Sequence, residues 1–171
     1  MNPPNLVYVI DSNVLIAAHR GYYGFLICPG FWECLLRQHQ AGRVLSIDRV
    51  RAEIVEGDEL SEWVDDSVPS SFFASTQNPT VAQTFAAIVQ WVQGESQFNR
   101  PAKAEFARVA DGWLAAYTQT RTDHVLVTLE VHNADAKSRV PLPNICRQFG
   151  VPYIDTFTML RDLGASFVLG V

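Results

Sequence analysis

Three observations predict a three-layer α/β/α sandwich, a central parallel sheet with helices on both faces. Residues 6–10 (LVYVI), 125–129 (VLVTL) and 151–154 (VPYI) are short apolar runs rich in β-branched and aromatic side chains, the pattern of strands buried on both sides. Segments with helical spacing separate them, so the connections cross over and the strands run parallel. Each run is followed at once by an acid: Asp11, Glu130 or Asp155.

Between the first and second of these runs, Phe31, Trp32, Leu35, Leu36 and His39 recur at helical spacing, and Gly42 ends that helix. Val44 and Leu45 form a very short strand. Ser46 is the expected N-cap of a helix reaching about Glu56, with Asp48 in its first turn and Ile47, Val50 and Ile54 as its apolar face. Residues 68–80 (VPSSFFASTQNPT) read as a loop pinned by Phe72 and Phe73. The helical pattern returns over 81–92 through Phe85, Ile88, Val89 and Val92, and breaks over 94–101. From Ala102 it resumes through Phe106, Ala110, Trp113, Leu114 and Tyr117. Asp111-Gly112 is a break or an N-cap within this last stretch, which fits one helix or two. A helix over 157–163, capped by Asp155, closes the chain.

The 171 residues are 48% hydrophobic and 18% charged, enough for a substantial core and incompatible with a disordered tail. A formal charge of −5 excludes a broad basic nucleic-acid face and leaves room for a local one. Cys28, Cys34 and Cys146 lack metal-ligand spacing and are odd in number, which points to packing thiols in a reducing, cytoplasmic compartment. The run over 6–16 is interrupted by Asp11, Ser12 and Asn13, so it fits neither a signal peptide nor a membrane span.

In an open parallel sheet, ligands bind beyond the carboxyl ends of the strands. Asp11 and Glu130 stand there, Asp111 starts or interrupts a helix, and Glu53 edges a helical apolar face beside Val50. Four converging carboxylates raise one another's pKa by repulsion, and a divalent cation removes that conflict. Oxygen donors without a Cys or His cluster select a hard ion, Mg²⁺ or Mn²⁺. Such an ion stabilises charge on phosphate oxygens and lowers the pKa of a bound water, so no side-chain nucleophile is needed. Ser12, Asn13 and Thr128 are placed to orient the acids or that water from behind.

These residues resemble a known family. Val9-Ile10-Asp11-Ser12-Asn13-Val14-Leu15-Ile16 is similar to the opening motif of PIN domains, and Glu53 within 47–54 resembles that family's second-helix acid. Ala110-Asp111-Gly112-Trp113-Leu114-Ala115-Ala116 resembles the third motif, and Val127-Thr128-Leu129-Glu130 the fourth, where aspartate is commoner than glutamate. Tyr22-Tyr23, Pro29-Gly30-Phe31-Trp32 and Pro143-Asn144-Ile145-Cys146 look like a PIN-like subfamily of bacterial and archaeal proteins with little assigned function. The resemblance spans residues 6–154 in the expected order. It implies a Rossmann-like fold over residues 1–171, with a helical insertion at about 57–101. It further implies that Asp11, Glu53, Asp111 and Glu130 hold Mg²⁺ or Mn²⁺ in a VapC-toxin-like ribonuclease. An RNA substrate, a cognate antitoxin and, as in many relatives, a homodimer follow from the same resemblance; a membrane does not.

Two other readings use the same residues. Asp11 after the first strand could be the nucleophile of an aspartyl-phosphate phosphatase, although Asn13 stands where such enzymes carry a second aspartate. A PIN-like module that has lost turnover would serve as a binding protein. Arg20, Lys137 and Arg139 flank the strand ends, with surface solvation their default and phosphate binding the alternative. Phe72, Phe73 and Trp91 default to packing. The histidines, His19, His39, His124 and His132, have no catalytic partner in the sequence.

Overall fold

The computed structural model describes residues 5–170. Its five strands are β1 (Val7–Ile10), β2 (Val44–Ile47), β3 (Phe73–Ala74), β4 (His124–Val127) and β5 (Tyr153–Ile154). They form one all-parallel sheet in the order β3-β2-β1-β4-β5. The first three strands build outward to one side and β4 then returns to the other side of β1. The order therefore reverses between β1 and β4, which is where doubly wound sheets open a binding crevice.

Nine α-helices accompany the strands among the described residues: α1 (Ser12–Arg20), α2 (Pro29–Gln40), α3 (Asp48–Glu53), α4 (Glu59–Ser67), α5 (Pro79–Gly94), α6 (Arg100–Arg108), α7 (Asp111–Gln119), α8 (Leu142–Phe149) and α9 (Thr156–Asp162). Alternation along the strands assigns them to two layers. Val9, Ile47 and Leu126 join α5, α6, α7 and α8 in one core, which holds Ile88, Phe106, Leu114 and Ile145. Tyr8, Ile10, Val125 and Val127 point the other way, into a core with Leu15 of α1, Phe31 of α2, Leu60 of α4 and Met159 of α9. The sheet is covered on both faces, which is the three-layer sandwich the apolar runs predict. No helix among the described residues is long and apolar enough to cross a membrane.

Local chemistry sets several of the boundaries. Asn78 and Asn99 accept hydrogen bonds from the first amides of α5 and α6, each followed by a proline in the first turn. Asp58 and Ser61 form a capping box on α4. Gly150, at φ 66°, ends α8 in the left-handed region, and Asp155 caps α9 through the Thr158 amide at 2.7 Å, as expected.

Other local expectations need correction. Ser46 does not cap α3: it is the third residue of β2, fully buried, and its hydroxyl donates to the Ile10 carbonyl at 2.6 Å. Residues 68–80 are not wholly loop, because a 3₁₀ turn (Ser70–Phe72) leads into β3, whose Phe73 pairs with Ser46. The stretch from Ala102 is two helices, parted where Val109 takes an extended conformation. Asp111 is the first residue of α7 and not its N-cap, the cap position being Ala110. Helix α1 stands where no helix was expected, whereas α4 opens the expected helical insertion and α8 is the crossover between the second and third apolar runs.

Gly112 allows α7 to approach the neighbouring helices. A Cβ there would lie 2.9 Å from Phe85 Cε2 and 3.2 Å from Phe106 Cε1 and Cζ, inside ordinary contact distance. Gly112→Ala is expected to cost ~1–3 kcal/mol through overpacking, read as a lower urea midpoint at unchanged m-value. An unchanged midpoint would show that α7 has room to spare.

Candidate metal centre

The strand register fixes the first carboxylate. Ile10 pairs with Val127, so the residues just beyond, Asp11 and Thr128, emerge side by side at the β1–β4 opening. The Asp11 amide donates to the Val127 carbonyl at 3.0 Å. Asp11 is only 2% exposed. Its Oδ2 accepts from the Thr128 hydroxyl at 2.9 Å and its Oδ1 from the Ser12 hydroxyl at 3.3 Å. Asn13 ties the two strand ends together: its Nδ2 donates to Thr128 Oγ1 at 3.2 Å, and its Oδ1 accepts from the Leu129 amide at 3.2 Å.

Asp111 enters from the start of α7 and Glu130 from the loop after β4. One carboxylate oxygen from each of Asp11, Asp111 and Glu130 lies within 4.8 Å of the other two. Both Glu130 oxygens are engaged: Oε1 pairs with the Arg139 guanidinium, and Oε2 accepts from the Leu142 amide at 2.9 Å, the first amide of α8. Glu53 stands in the same cleft, outside that group of three. Its Oε2 accepts from Ser12 at 2.8 Å and its Oε1 from the Ala110 amide at 2.8 Å. It thereby connects the end of α3 to the start of α1 and to the residue that presents Asp111.

The cleft, of about 760 Å³, opens above these groups and is walled by Ala102, Glu105, Phe106 and Val109 on one side and by Ser138, Arg139 and Val140 on another. Its electrostatics are those of negative charge held too close together. Burial pushes Asp11 up to about 6, with Glu130 and Glu53 adding to the shift and the Thr128 hydrogen bond opposing it. Burial, then Asp11, Glu130 and Glu53, raise Asp111 well above the ordinary carboxylate range, while Arg139 acts against them. The Cys146 thiol behind the site is pushed up to about 12 by its burial and by the same three acids, Asp111, Asp11 and Glu130. Three carboxylates converging from the end of β1, the start of α7 and the loop after β4 suit a hard divalent cation, which would relieve this repulsion.

A family model described as a domain of unknown function, DUF4411, matches residues 8–167. The chain belongs to the DUF4411 family. That match takes in Asp11, Glu53, Asp111, Glu130 and Arg139, so the whole centre lies within the DUF4411 region. No curated protein and no solved structure matches this DUF4411 chain.

Sequence reasoning overlooked two groups of the DUF4411 centre, the Ala110 and Leu142 amides. Pro141 and Pro143 around Leu142 carried a readable signal, because proline favours the first turn of a helix. Ala110 carried none, since its partner Glu53 is 57 residues away. Arg139, whose default was surface solvation, instead forms an ion pair with Glu130.

The raised pKa of Asp11 has a defined sign in stability. Between its ordinary 3.8 and about 6, the folded state keeps a proton that the unfolded state has lost. The contribution of Asp11 to stability therefore falls as pH rises through that window and stays low above it. In chelator, the Tm of the wild type is expected to drop more steeply from pH 4.5 to 7 than that of Asp11→Asn. Equal slopes would contradict the assignment.

Proposed function

We propose that the protein is a Mg²⁺- or Mn²⁺-dependent endoribonuclease that hydrolyses RNA phosphodiester bonds. One observation supports this reading above the others: Asp11, Asp111 and Glu130 bring three carboxylate oxygens within 4.8 Å of one another in an open cleft at the sheet's topological switch point. When bound there, the ion supplies the positive charge that offsets the phosphate oxygens and acidifies water. The chain's own residues supply the geometry. Thr128 and Ser12 hold the Asp11 carboxylate in place, Asn13 locks the β1 and β4 ends together, and Glu53 fixes the backbone ahead of Asp111. No Cys or His nucleophile is required, and the buried Cys146 thiol is kept protonated.

RNA as the substrate, and the role of toxin in a type II toxin–antitoxin pair, rest on the resemblance to PIN domains. An antitoxin that places a basic side chain in this acidic cleft would complement its charge. The aspartyl-phosphate alternative is less well supported, because Asn13 stands where such enzymes carry a second aspartate and its side chain is committed to Thr128 and Leu129. A silent binding module would have no use for closely packed carboxylates that are costly to bury.

The direct test pairs calorimetric Mn²⁺ titration with cleavage of a mixed single-stranded RNA pool, for the wild type and a folded Asp111→Asn variant. The wild type is expected to bind Mn²⁺ and to cleave, with activity abolished by chelator. Asp111→Asn should lose at least roughly 10–100-fold in metal affinity and lose cleavage with it. Mn²⁺ binding without cleavage of any RNA would favour the silent module. Hydrolysis of phosphate monoesters in chelator, with a phosphate trapped on Asp11, would replace the proposal by the phosphatase.

A further inference from the structure

Among the described residues that line the cleft, five are acidic (Asp11, Glu53, Glu105, Asp111 and Glu130) and a single one, Arg139, is basic. Its guanidinium does not face solvent idly. It pairs with Oε1 of Glu130, one of the three clustered carboxylates, while Oε2 of the same group is held by the Leu142 amide. Arg139 also favours the ionised form of Asp111, so its charge is felt by a second member of the cluster. The protein has thus supplied its own counter-ion to the group of acids that would otherwise receive a metal.

The two partners are placed very differently. The Glu130 side chain is 11% exposed and the Arg139 side chain 65% exposed. Glu130 is fixed at the base of the cleft by a backbone amide. Arg139 reaches it from the irregular segment between β4 and α8, on a long, largely solvated side chain. Solvent reaches the pair from the arginine's side and screens it, and a divalent ion competes for the same oxygen with twice the charge. The displaced guanidinium would then stand at the wall of the cleft as its one cation. Guanidinium binds phosphate oxygens in a two-pronged fashion that ammonium does not reproduce.

Resting on the metal-dependent ribonuclease reading, we propose that Arg139 is an exchangeable counter-ion. In the metal-free protein it neutralises Glu130; when metal takes Glu130, the arginine is released to bind the RNA phosphate beside the scissile bond. The exchange couples metal loading to substrate capture. An empty centre would hold its phosphate-binding residue back, and a loaded one would present it.

The proposal requires opposite effects from one substitution. In Arg139→Gln, Mn²⁺ should bind roughly two- to fivefold more tightly by calorimetry, because a competitor has been removed. At saturating Mn²⁺, the same variant should bind a fluorescein-labelled phosphorothioate oligouridylate more weakly by anisotropy. The slope of log K against log salt should fall by about one in magnitude, reporting the loss of one phosphate contact. Arg139→Lys, which keeps the charge, should restore most of the slope. Tighter metal together with a smaller slope supports the exchange. Weaker metal binding in Arg139→Gln would mean that Arg139 only holds Glu130 in place, and an unchanged slope would mean that it never reaches phosphate; either result overturns the proposal while leaving the ribonuclease reading intact. Absence of Mn²⁺ binding by the wild type would instead remove the metal centre and the exchange with it.

Discussion

Asp11 is a carboxylate that the fold buries and must then compensate. It sits where β1 ends, one residue past the Ile10–Val127 pair, so the register that closes the central sheet also aligns Asp11 with Thr128. Had β4 slipped by one residue, every side chain along it would face the opposite layer, and the Thr128 hydroxyl would leave the Asp11 carboxylate. Packing and site geometry are therefore one constraint. The alternation that sends Leu126 into one core and Val127 into the other is the same alternation that places Thr128 and Glu130 at the mouth of the crevice.

Around that fixed point the other acids are held by backbone amides as much as by side chains. Glu53 binds the Ala110 amide, in the interruption between α6 and α7, and so sets where Asp111 begins its helix. Glu130 binds the Leu142 amide at the start of α8. Helix N-termini stabilise negative charge, and amides already committed this way cannot drift. Ser12 then links Glu53 to Asp11: its single hydroxyl proton is directed at Glu53 Oε2, 2.8 Å away, and is shared more weakly with Asp11 Oδ1 at 3.3 Å. Mutual repulsion is the cost of this convergence, and it is recorded in the raised pKa of Asp11 and Asp111 and in the Cys146 thiol behind them.

What could be read from the sequence follows from what is local. The strands β1, β4 and β5 announce themselves as apolar runs, and the acids that end them follow directly, because a strand buried on both faces leaves no other position for a charge. Helix α1 was hidden by Ser12 and Asn13, whose turn-forming character is overridden by packing of Val14, Leu15 and Ala18 beneath them. Helix α8 was legible only as a crossover between two strands, although the prolines around Leu142 mark its first turn. The two-residue strand β3 has no sequence period at all, and only its pairing with Ser46 and Ile47 makes it a strand. Ser46 was misjudged for the same reason, its hydroxyl being spent on a neighbouring strand 36 residues away and not on its own helix. The four acids were legible as candidates one at a time. That three form the close group while Glu53 braces from beside it depends on non-local contacts, such as Ser12 with Glu53 across 41 residues and Glu53 with Ala110 across 57, which no local pattern encodes.

A metal-dependent centre requires that a cation fit between Asp11, Asp111 and Glu130. The most direct measurement is a crystal structure of the wild-type protein grown with Mn²⁺, with anomalous data collected near the manganese edge. One strong anomalous peak is expected within coordination distance of all three carboxylates. A peak elsewhere on the surface, or none there at saturating Mn²⁺ while Arg139 still holds Glu130, would contradict it.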